Sequence, residues 1–208
     1  YAENMYPKSF FSSIPSVEIK WKVQKRIIQN DYVVFVDEAI EYAPDAKMLG
    51  YSICNDLDGY YFRMNKLFEK IEKWTGLPVV IGASGKYIYP KNNFNKRQII
   101  YQKTFSLIEH SNLIIGHTSS ALKHNIKCNK PIVFIKDKSF TNIKLKGFKE
   151  LKNIFNDKVY DNDKFHYTNY QDIINFDNNR YIKINDDCFN EKYIDNDGFK
   201  WIVKEIRE

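Results

Sequence analysis

Residues 112–135, NLIIGHTSSALKHNIKCNKPIVFI, contain the pattern on which the predicted fold depends. Two apolar runs, residues 113–115 and 132–135, are typical of strands buried on both faces of a sheet. Between them, residues 119–129 predict a compact helix. The order strand, helix, strand is typical of a parallel sheet with right-handed crossovers.

The same pattern recurs towards the amino terminus. The runs VVFV at residues 33–36 and LPVVIGA at residues 77–83 predict two further buried strands. Between them, apolar side chains recur at helical spacing until Gly76 and Pro78, which favour a helix end. The members of that stripe are Tyr60, Met64, Leu67, Phe68, Ile71 and Trp74. The fold class predicted is α/β, a Rossmann-like parallel sheet with helices on both faces.

The remaining segments give weaker patterns. We expect a short helix over KTFSLIEHSN, residues 103–112, and further helices over residues 17–29, 147–157 and 198–208. Residues 1–30 are predicted to be a lead segment or the remnant of a preceding domain. Residues 31–208 are predicted to form one nucleotide-sugar-binding α/β domain with a carboxyl-terminal helix.

Composition excludes several classes of protein. The 208 residues are 43% hydrophobic and 16% aromatic, which is ample for a globular core. The net charge of +6 suits anionic ligands. However, acidic residues are spread along the chain, and it lacks the block of basic residues that would indicate nucleic-acid binding. No apolar run approaches the roughly 20 residues of a membrane helix. We expect a cytoplasmic protein whose basic, aromatic surface is compatible with contact at the inner face of the membrane.

The cysteines and histidines predict neither a metal site nor a disulfide framework. Cys54, Cys128 and Cys188 are far apart and match no metal or redox spacing. The four histidines lack the HExxH pattern of zinc enzymes. We therefore expect no metal and no cofactor.

Three small hydroxyl residues, Thr118, Ser119 and Ser120, follow the strand at residues 113–115. Ligands of open α/β sheets bind outside the carboxyl ends of the strands. Free N–H groups at the start of a helix, with small hydroxyls beside them, suit a phosphate. Helix capping is the alternative, although a cap needs one hydroxyl rather than three.

A second loop, Gly82-Ala83-Ser84-Gly85-Lys86, follows the VVIGA strand. Gly82 and Gly85 let the backbone approach a ligand closely, Ser84 adds a hydroxyl, and Lys86 adds a compact charge. The spacing is too short for a Walker A loop, and no Ser or Thr follows the lysine. A plain turn after the strand explains the loop equally well.

A third loop begins with Asp37 and Glu38, directly after VVFV. Paired carboxylates at the end of a buried strand suit a general base or a sugar-binding group. Neighbouring residues of an extended chain point in opposite directions, so we expect at most one of the two to face a site. Ordinary solvated acids are the alternative.

Three segments together resemble the carboxyl-terminal, nucleotide-binding half of GT-B glycosyltransferases of bacterial surface-polysaccharide pathways. The segments are VVFVDEAIEYAPD, YYFRMNKLFEKIEKWTGLPVVIGASGK and TFSLIEHSNLIIGHTSSALKHNIKCNKPIVFI, within residues 32–136. More narrowly, they resemble the branch that uses CMP-sugars, which includes sialyltransferases and Kdo transferases. The resemblance implies that Ser119 and Ser120 hold the nucleotide phosphate, with Thr118 in support. Such enzymes usually carry a His-Pro pair where this chain has residues 83–86, so Lys86 would neutralise the charge instead.

The function that the resemblance implies is transfer of a sugar from a nucleotide donor. The partners that it implies are a nucleotide-sugar and a surface-glycan acceptor. In many such enzymes an amino-terminal domain supplies the base and the acceptor site, and residues 1–30 are too short to form one. Either the chain is the carboxyl-terminal part of a longer enzyme or its acceptor side is reduced. Two other functions stay open: a nucleotide-sugar epimerase of the same architecture, and a non-catalytic binding module with a decayed site.

Overall fold

A parallel sheet forms the centre of the fold. The computed structural model describes residues 25–123, 125, 128–155 and 159–165. Within them the strands are β1 Val33–Val36, β2 Val79–Ala83, β3 Ile99–Tyr101, β4 Leu113–Gly116, β5 Ile132–Lys136 and β6 Val159–Asp161. Every neighbouring pair is parallel, and the spatial order is β3-β2-β1-β4-β5-β6. This order changes direction between β1 and β4, which makes that boundary a topological switch point.

Helices and turns connect these strands. The helices are α1 Pro44–Met48, α2 Leu57–Thr75, α3 Thr104–His110 and α4 Asn142–Phe155, with 3-10 turns at Ser120–Lys123 and Asn162–Lys164. The helices within the described ranges are all too short or too polar to span a bilayer.

Helix α2 shows how local sequence sets the ends of an element. The Asp56 side chain accepts a hydrogen bond from the Gly59 amide, 2.9 Å away, and so caps the first turn. At the other end Gly76 adopts a left-handed conformation, φ 71°, and its amide donates to the Glu72 carbonyl. Between these caps the apolar stripe is buried from Tyr60 to Ile71, and its last member, Trp74, is partly exposed.

Strand β1 is covered on both faces, as its unbroken apolar run predicts. On one face the ring of Phe35 packs against Phe68 of α2, with centroids 5.0 Å apart. Alternate residues of a strand point to opposite faces, so Val34 lies on the face opposite to Phe35. There Val34 and Leu107 of α3 both lie beside Gly82. The predicted α/β fold with helices on both faces is therefore confirmed.

The register places three loops at one edge of the sheet. Val36, the last residue of β1, pairs with Gly82 of β2 on one side and with Gly116 of β4 on the other. The chains that leave these strands begin at Asp37, Ser84 and His117. All three loops that the sequence singled out therefore start at the carboxyl edge.

Some elements differ from the sequence-based expectations. The edge strands β3 and β6, of three residues each, and the single-turn helix α1 were not predicted, because such short segments leave no periodic pattern. Residues 25–29 of the helix predicted over 17–29 are not helical. The helix predicted over 147–157 begins earlier, at Asn142. The terminal helix predicted over 198–208 lies outside the described residues, and the domain boundary at residues 30 and 31 stays a prediction.

Candidate functional site

The switch point brings two of the predicted loops into direct contact. Thr118 follows β4 and Glu38 follows β1, although 80 positions separate them in sequence. The Thr118 amide donates to Oε1 of Glu38, and the Thr118 hydroxyl lies 3.4 Å from Oε2. In open α/β sheets this crevice between the diverging loops is where ligands bind.

A lysine from a helix that is distant in sequence, α4, completes the cluster. The Lys144 ammonium forms an ion pair with Oε2 of Glu38 and lies 2.5 Å from the Thr118 hydroxyl oxygen. The side chains are largely buried, with Lys144 8% exposed and Glu38 14% exposed. Because little water screens them, charges here act more strongly than on an open surface. We refer to Glu38, Thr118 and Lys144 as the switch-point cluster.

The position of α4 explains how Lys144 reaches this edge. Lys144 lies in the first turn of the helix, and Gly147 follows it by three residues, on the same side of the helix. A Cβ atom at Gly147 would lie 3.1 Å from the Thr118 methyl carbon, closer than side chains normally pack. The glycine thus allows α4 to approach the loop that carries Thr118.

Asp37 faces a different environment from Glu38. One of its carboxyl oxygens accepts a hydrogen bond from the Tyr89 hydroxyl, 2.8 Å away, and its side chain is buried. Burial raises the pKa of Asp37 to about 7, an effect that the Tyr89 hydrogen bond only partly offsets. Burial also raises the pKa of Tyr89, and the nearby Asp37 charge raises it further. Asp37 is therefore largely protonated in mildly acidic solution.

His117 acts as a buried, neutral support beneath the cluster. Its Nδ1 lies 2.6 Å from the Ile135 carbonyl, which fixes the proton on that nitrogen, and its Nε2 lies 2.9 Å from the Tyr60 hydroxyl, which then donates. Burial lowers the pKa of His117 to about 4. The ring therefore joins β4, β5 and α2 without carrying a charge at neutral pH.

The serines after Thr118 lie in a tight turn. The Ser119 hydroxyl accepts a hydrogen bond from the Ala121 amide, 3.3 Å away, and a 3-10 turn, Ser120–Lys123, follows. Of the helix predicted over residues 119–129, the structure describes this turn and helical backbone at residues 125 and 128. The predicted phosphate contacts of Ser119 and Ser120 stay predictions. The donors that the structure brings together are instead those of Thr118 and Lys144.

The Gly82–Lys86 loop divides into a packed part and an exposed part. Gly82 is buried within β2, where a Cβ atom would lie 3.3 Å from Leu107 of α3, so its lack of a side chain serves packing. The Ser84 hydroxyl accepts from the Lys86 amide at 3.1 Å, and Lys86 itself is exposed. Gly85 lies so close to Gln102 that a Cβ atom would overlap it, at 2.4 Å. The loop follows β2, one strand away from the switch point.

An open cleft of about 550 Å³ lies along the connection between β1 and α2. Ile40 and Leu57 contribute apolar surface, while Glu41 and Lys47 contribute opposite charges. The cleft begins two residues beyond Glu38 in sequence. Its volume falls within the usual range of ligand pockets, about 300 to 1,000 Å³.

Sequence reasoning missed Lys144 and Tyr89 as members of the site. Lys144 is one of several lysines in NIKLKGFKELKNIF, and spacing does not distinguish it from the exposed ones. Tyr89 is one of 15 tyrosines. The described residues contain no group of three or more His, Cys, Asp or Glu side chains that could hold a metal ion.

No protein-family model and no curated protein sequence matches the chain. Solved structures with some similarity include the glycosyltransferase SnogD from Streptomyces nogalater, at 9% identity and TM-score 0.44 over 79% of this chain and 40% of that one. The spinosyn forosaminyltransferase SpnP has 11% identity and TM-score 0.41, over 88% and 41% of the two chains. The ADP-heptose lps heptosyltransferase II of E. coli has 13% identity and TM-score 0.36, over 86% and 52%. This chain thus spans 40% to 52% of the length of these structures, and likenesses this slight carry no argument about its function.

Proposed function

We propose that the chain is the donor-binding lobe of a glycosyltransferase, with the switch-point cluster as its phosphate site. One observation carries the proposal. The Thr118 amide, the Thr118 hydroxyl and the Lys144 ammonium all contact one anionic group, the Glu38 carboxylate, where the strand order changes direction. Amides, hydroxyls and lysine are donors that proteins commonly use for phosphate oxygens.

The chemistry of sugar transfer suits this donor set. When the bond between the sugar and the nucleotide breaks, negative charge develops on the departing phosphate. Preorganised donors in a site that excludes water stabilise such charge more than donors in solution do. In this proposal Lys144 supplies the neutralising charge and Thr118 fixes the geometry. Ser119, Ser120, Ser84, Gly85 and Lys86 would contact the rest of the nucleotide.

The two carboxylates take different roles in the proposal. Glu38 is the better candidate for the general base that accepts the acceptor's hydroxyl proton, in the state in which the phosphate has taken its place at the Thr118 and Lys144 donors. Asp37 is buried, hydrogen-bonded to Tyr89 and, with a pKa raised to about 7, largely neutral in mildly acidic solution, so we assign it a positioning role at the end of β1. The cleft that begins at Ile40 offers space for a sugar or an acceptor.

The finer features of the proposal rest on the resemblance of the sequence. It favours a CMP-sugar donor and a surface glycan as acceptor, with transfer taking place in the cytoplasm at the inner face of the membrane. We include a nucleotide-sugar and a glycan among the partners and no nucleic acid.

Isothermal titration calorimetry with CMP, UDP and GDP tests the proposal. We expect one of them to bind, and Lys144→Met to weaken that binding by about tenfold or more, because hydrogen bonds to charged groups contribute about 1.5–3 kcal/mol. The exposed Lys149 on the same helix provides the control, since Lys149→Met removes the same charge away from the cluster. Circular dichroism establishes that both variants fold. Absence of binding at millimolar nucleotide, or equal loss in both variants, would contradict the proposal.

A further inference from the structure

The carboxylate of Glu38 occupies the position proposed for the phosphate. It accepts from the Thr118 amide, it faces the Thr118 hydroxyl, and it forms the ion pair with Lys144. Each of these donors is one that a phosphate oxygen would use. A carboxylate and a phosphate cannot both fill the same position, and two anions so close together would repel each other.

We infer that Glu38 is an internal anion that fills the phosphate site in the free protein and that a bound phosphate displaces it. This inference rests on the proposed function and extends it. The ligand class is a phosphate or pyrophosphate group, such as that of a nucleoside diphosphate. Glu38 thereby competes with the ligand and lowers its affinity.

The exchange keeps the buried lysine paired in both states. Removing Glu38 without a replacement would leave the Lys144 ammonium largely buried and without its counter-ion, which is strongly unfavourable. With Glu38 in place before binding and phosphate in place afterwards, the cation keeps an anionic partner throughout. Such an arrangement preserves the site when no ligand is bound.

The backbone beside Glu38 is placed to allow the exchange. Ala39, the next residue, has φ of 51°, a conformation that residues with a Cβ atom rarely adopt. Ile40 and Glu41, the two residues that follow Ala39, line the open cleft. In the inferred exchange, displacement of Glu38 would let Ala39 relax from this conformation.

The competition has a measurable consequence. A ligand that binds only molecules with an open site has an apparent Kd equal to its intrinsic Kd divided by the open fraction. If Glu38 fills the site in nine of ten molecules, the apparent Kd is about tenfold above the intrinsic value. Removing the charge of Glu38 should therefore increase the affinity for phosphate groups.

The test is calorimetry at constant ionic strength, with inorganic pyrophosphate and UDP as separate probes. Glu38→Gln removes the charge but keeps the shape of the side chain, and Glu69→Gln removes a charge from an exposed position on α2 as the control. We expect Glu38→Gln to bind pyrophosphate about tenfold more tightly than the wild type, and Glu69→Gln to bind it as the wild type does. Equal or weaker binding by Glu38→Gln would overturn the inference.

A second variant keeps the test decisive if Glu38→Gln does not fold. Glu38→Asp keeps the charge but shortens the side chain by one methylene, so it should reach the Thr118 and Lys144 donors less well and bind pyrophosphate with increased affinity. Unchanged or lower affinity of that variant overturns the inference.

The two probes separate this inference from the proposed function. If the variant gains affinity for pyrophosphate while UDP, CMP and GDP bind to neither protein, the inference that Glu38 competes with phosphate is supported and the proposed nucleotide-binding function is contradicted. If a nucleotide binds to the wild type but the variant gains no affinity for pyrophosphate, the proposed function is supported and the inference about Glu38 is contradicted. Binding of no anion by either protein overturns both.

Discussion

Asp37 and Glu38 are adjacent acids with opposite surroundings, and the difference follows from their places on the chain. Side chains alternate in direction at the end of β1, so Asp37 points to Tyr89 while Glu38 points to the loop after β4. The sequence alone predicts this divergence and the position of both acids at the sheet edge. It cannot predict the partner of Glu38, because Lys144 is 106 positions away and its approach depends on how α4 packs.

The raised pKa of Asp37 predicts a specific pH dependence of stability. Its pKa is about 7 in the folded protein, compared with an ordinary value of 3.8. Between these pH values the folded state therefore binds more protons than the unfolded state does. The contribution of Asp37 to stability is therefore fully present below pH 3.8 and is lost as pH rises through about 7. The loss is about 1.4 kcal/mol for each unit of pKa shift.

Urea denaturation of the wild type and Asp37→Asn at several pH values measures this effect. Asparagine can still accept the Tyr89 hydrogen bond but cannot ionise. We expect the free energy of unfolding of the variant, relative to that of the wild type, to increase as pH rises from 4 to about 8. A constant difference across this range would show that the carboxyl of Asp37 has an ordinary pKa.

At the scale of elements, the sequence predicts those that are long or buried. Strand β1 has an unbroken apolar run, and α2 has an apolar stripe with a capping residue at each end, so local sequence and tertiary packing agree. The strands β3 and β6 take their structure from pairing with a neighbour rather than from their own three residues. The segment after Ser119 forms a 3-10 turn because small hydroxyl residues hydrogen-bond to nearby amides as readily as they start a helix.

The carboxyl end of α2 offers a direct test of such local rules. Gly76 has φ of 71°, and a Cβ atom there would meet no other group within 4 Å, so the cost of a side chain is conformational rather than steric. Gly76→Ala should lower the free energy of unfolding by about 1 kcal/mol, measured by urea denaturation. Lys73→Ala, at an exposed position in the last turn, should change it by less than about 0.5 kcal/mol. A loss no larger in Gly76→Ala than in Lys73→Ala would mean that this cap does not stabilise the helix.

At the scale of the whole molecule, the strand order decides where a ligand can bind. The order β3-β2-β1-β4-β5-β6 places the switch point between β1 and β4, and the predicted residues Glu38 and Thr118 are in contact there. The sequence predicts parallel strands and their carboxyl-edge loops, because right-handed crossovers constrain both. It does not predict that β4 rather than β3 lies beside β1, because no local pattern encodes the order in which strands pair.

The proposed site requires a phosphate group to bind at the Thr118 amide, and two-dimensional ¹H–¹⁵N NMR during a nucleotide titration tests this most directly. The Thr118 amide should shift progressively as it exchanges Glu38 for phosphate, and the shift should saturate with the Kd from calorimetry. Asn112 lies at the opposite, amino edge of β4, where its amide donates to the Tyr32 carbonyl, and its signal should stay unchanged. Nucleotide binding that shifts the amide signal of Asn112 and leaves that of Thr118 unchanged would contradict phosphate binding at this site.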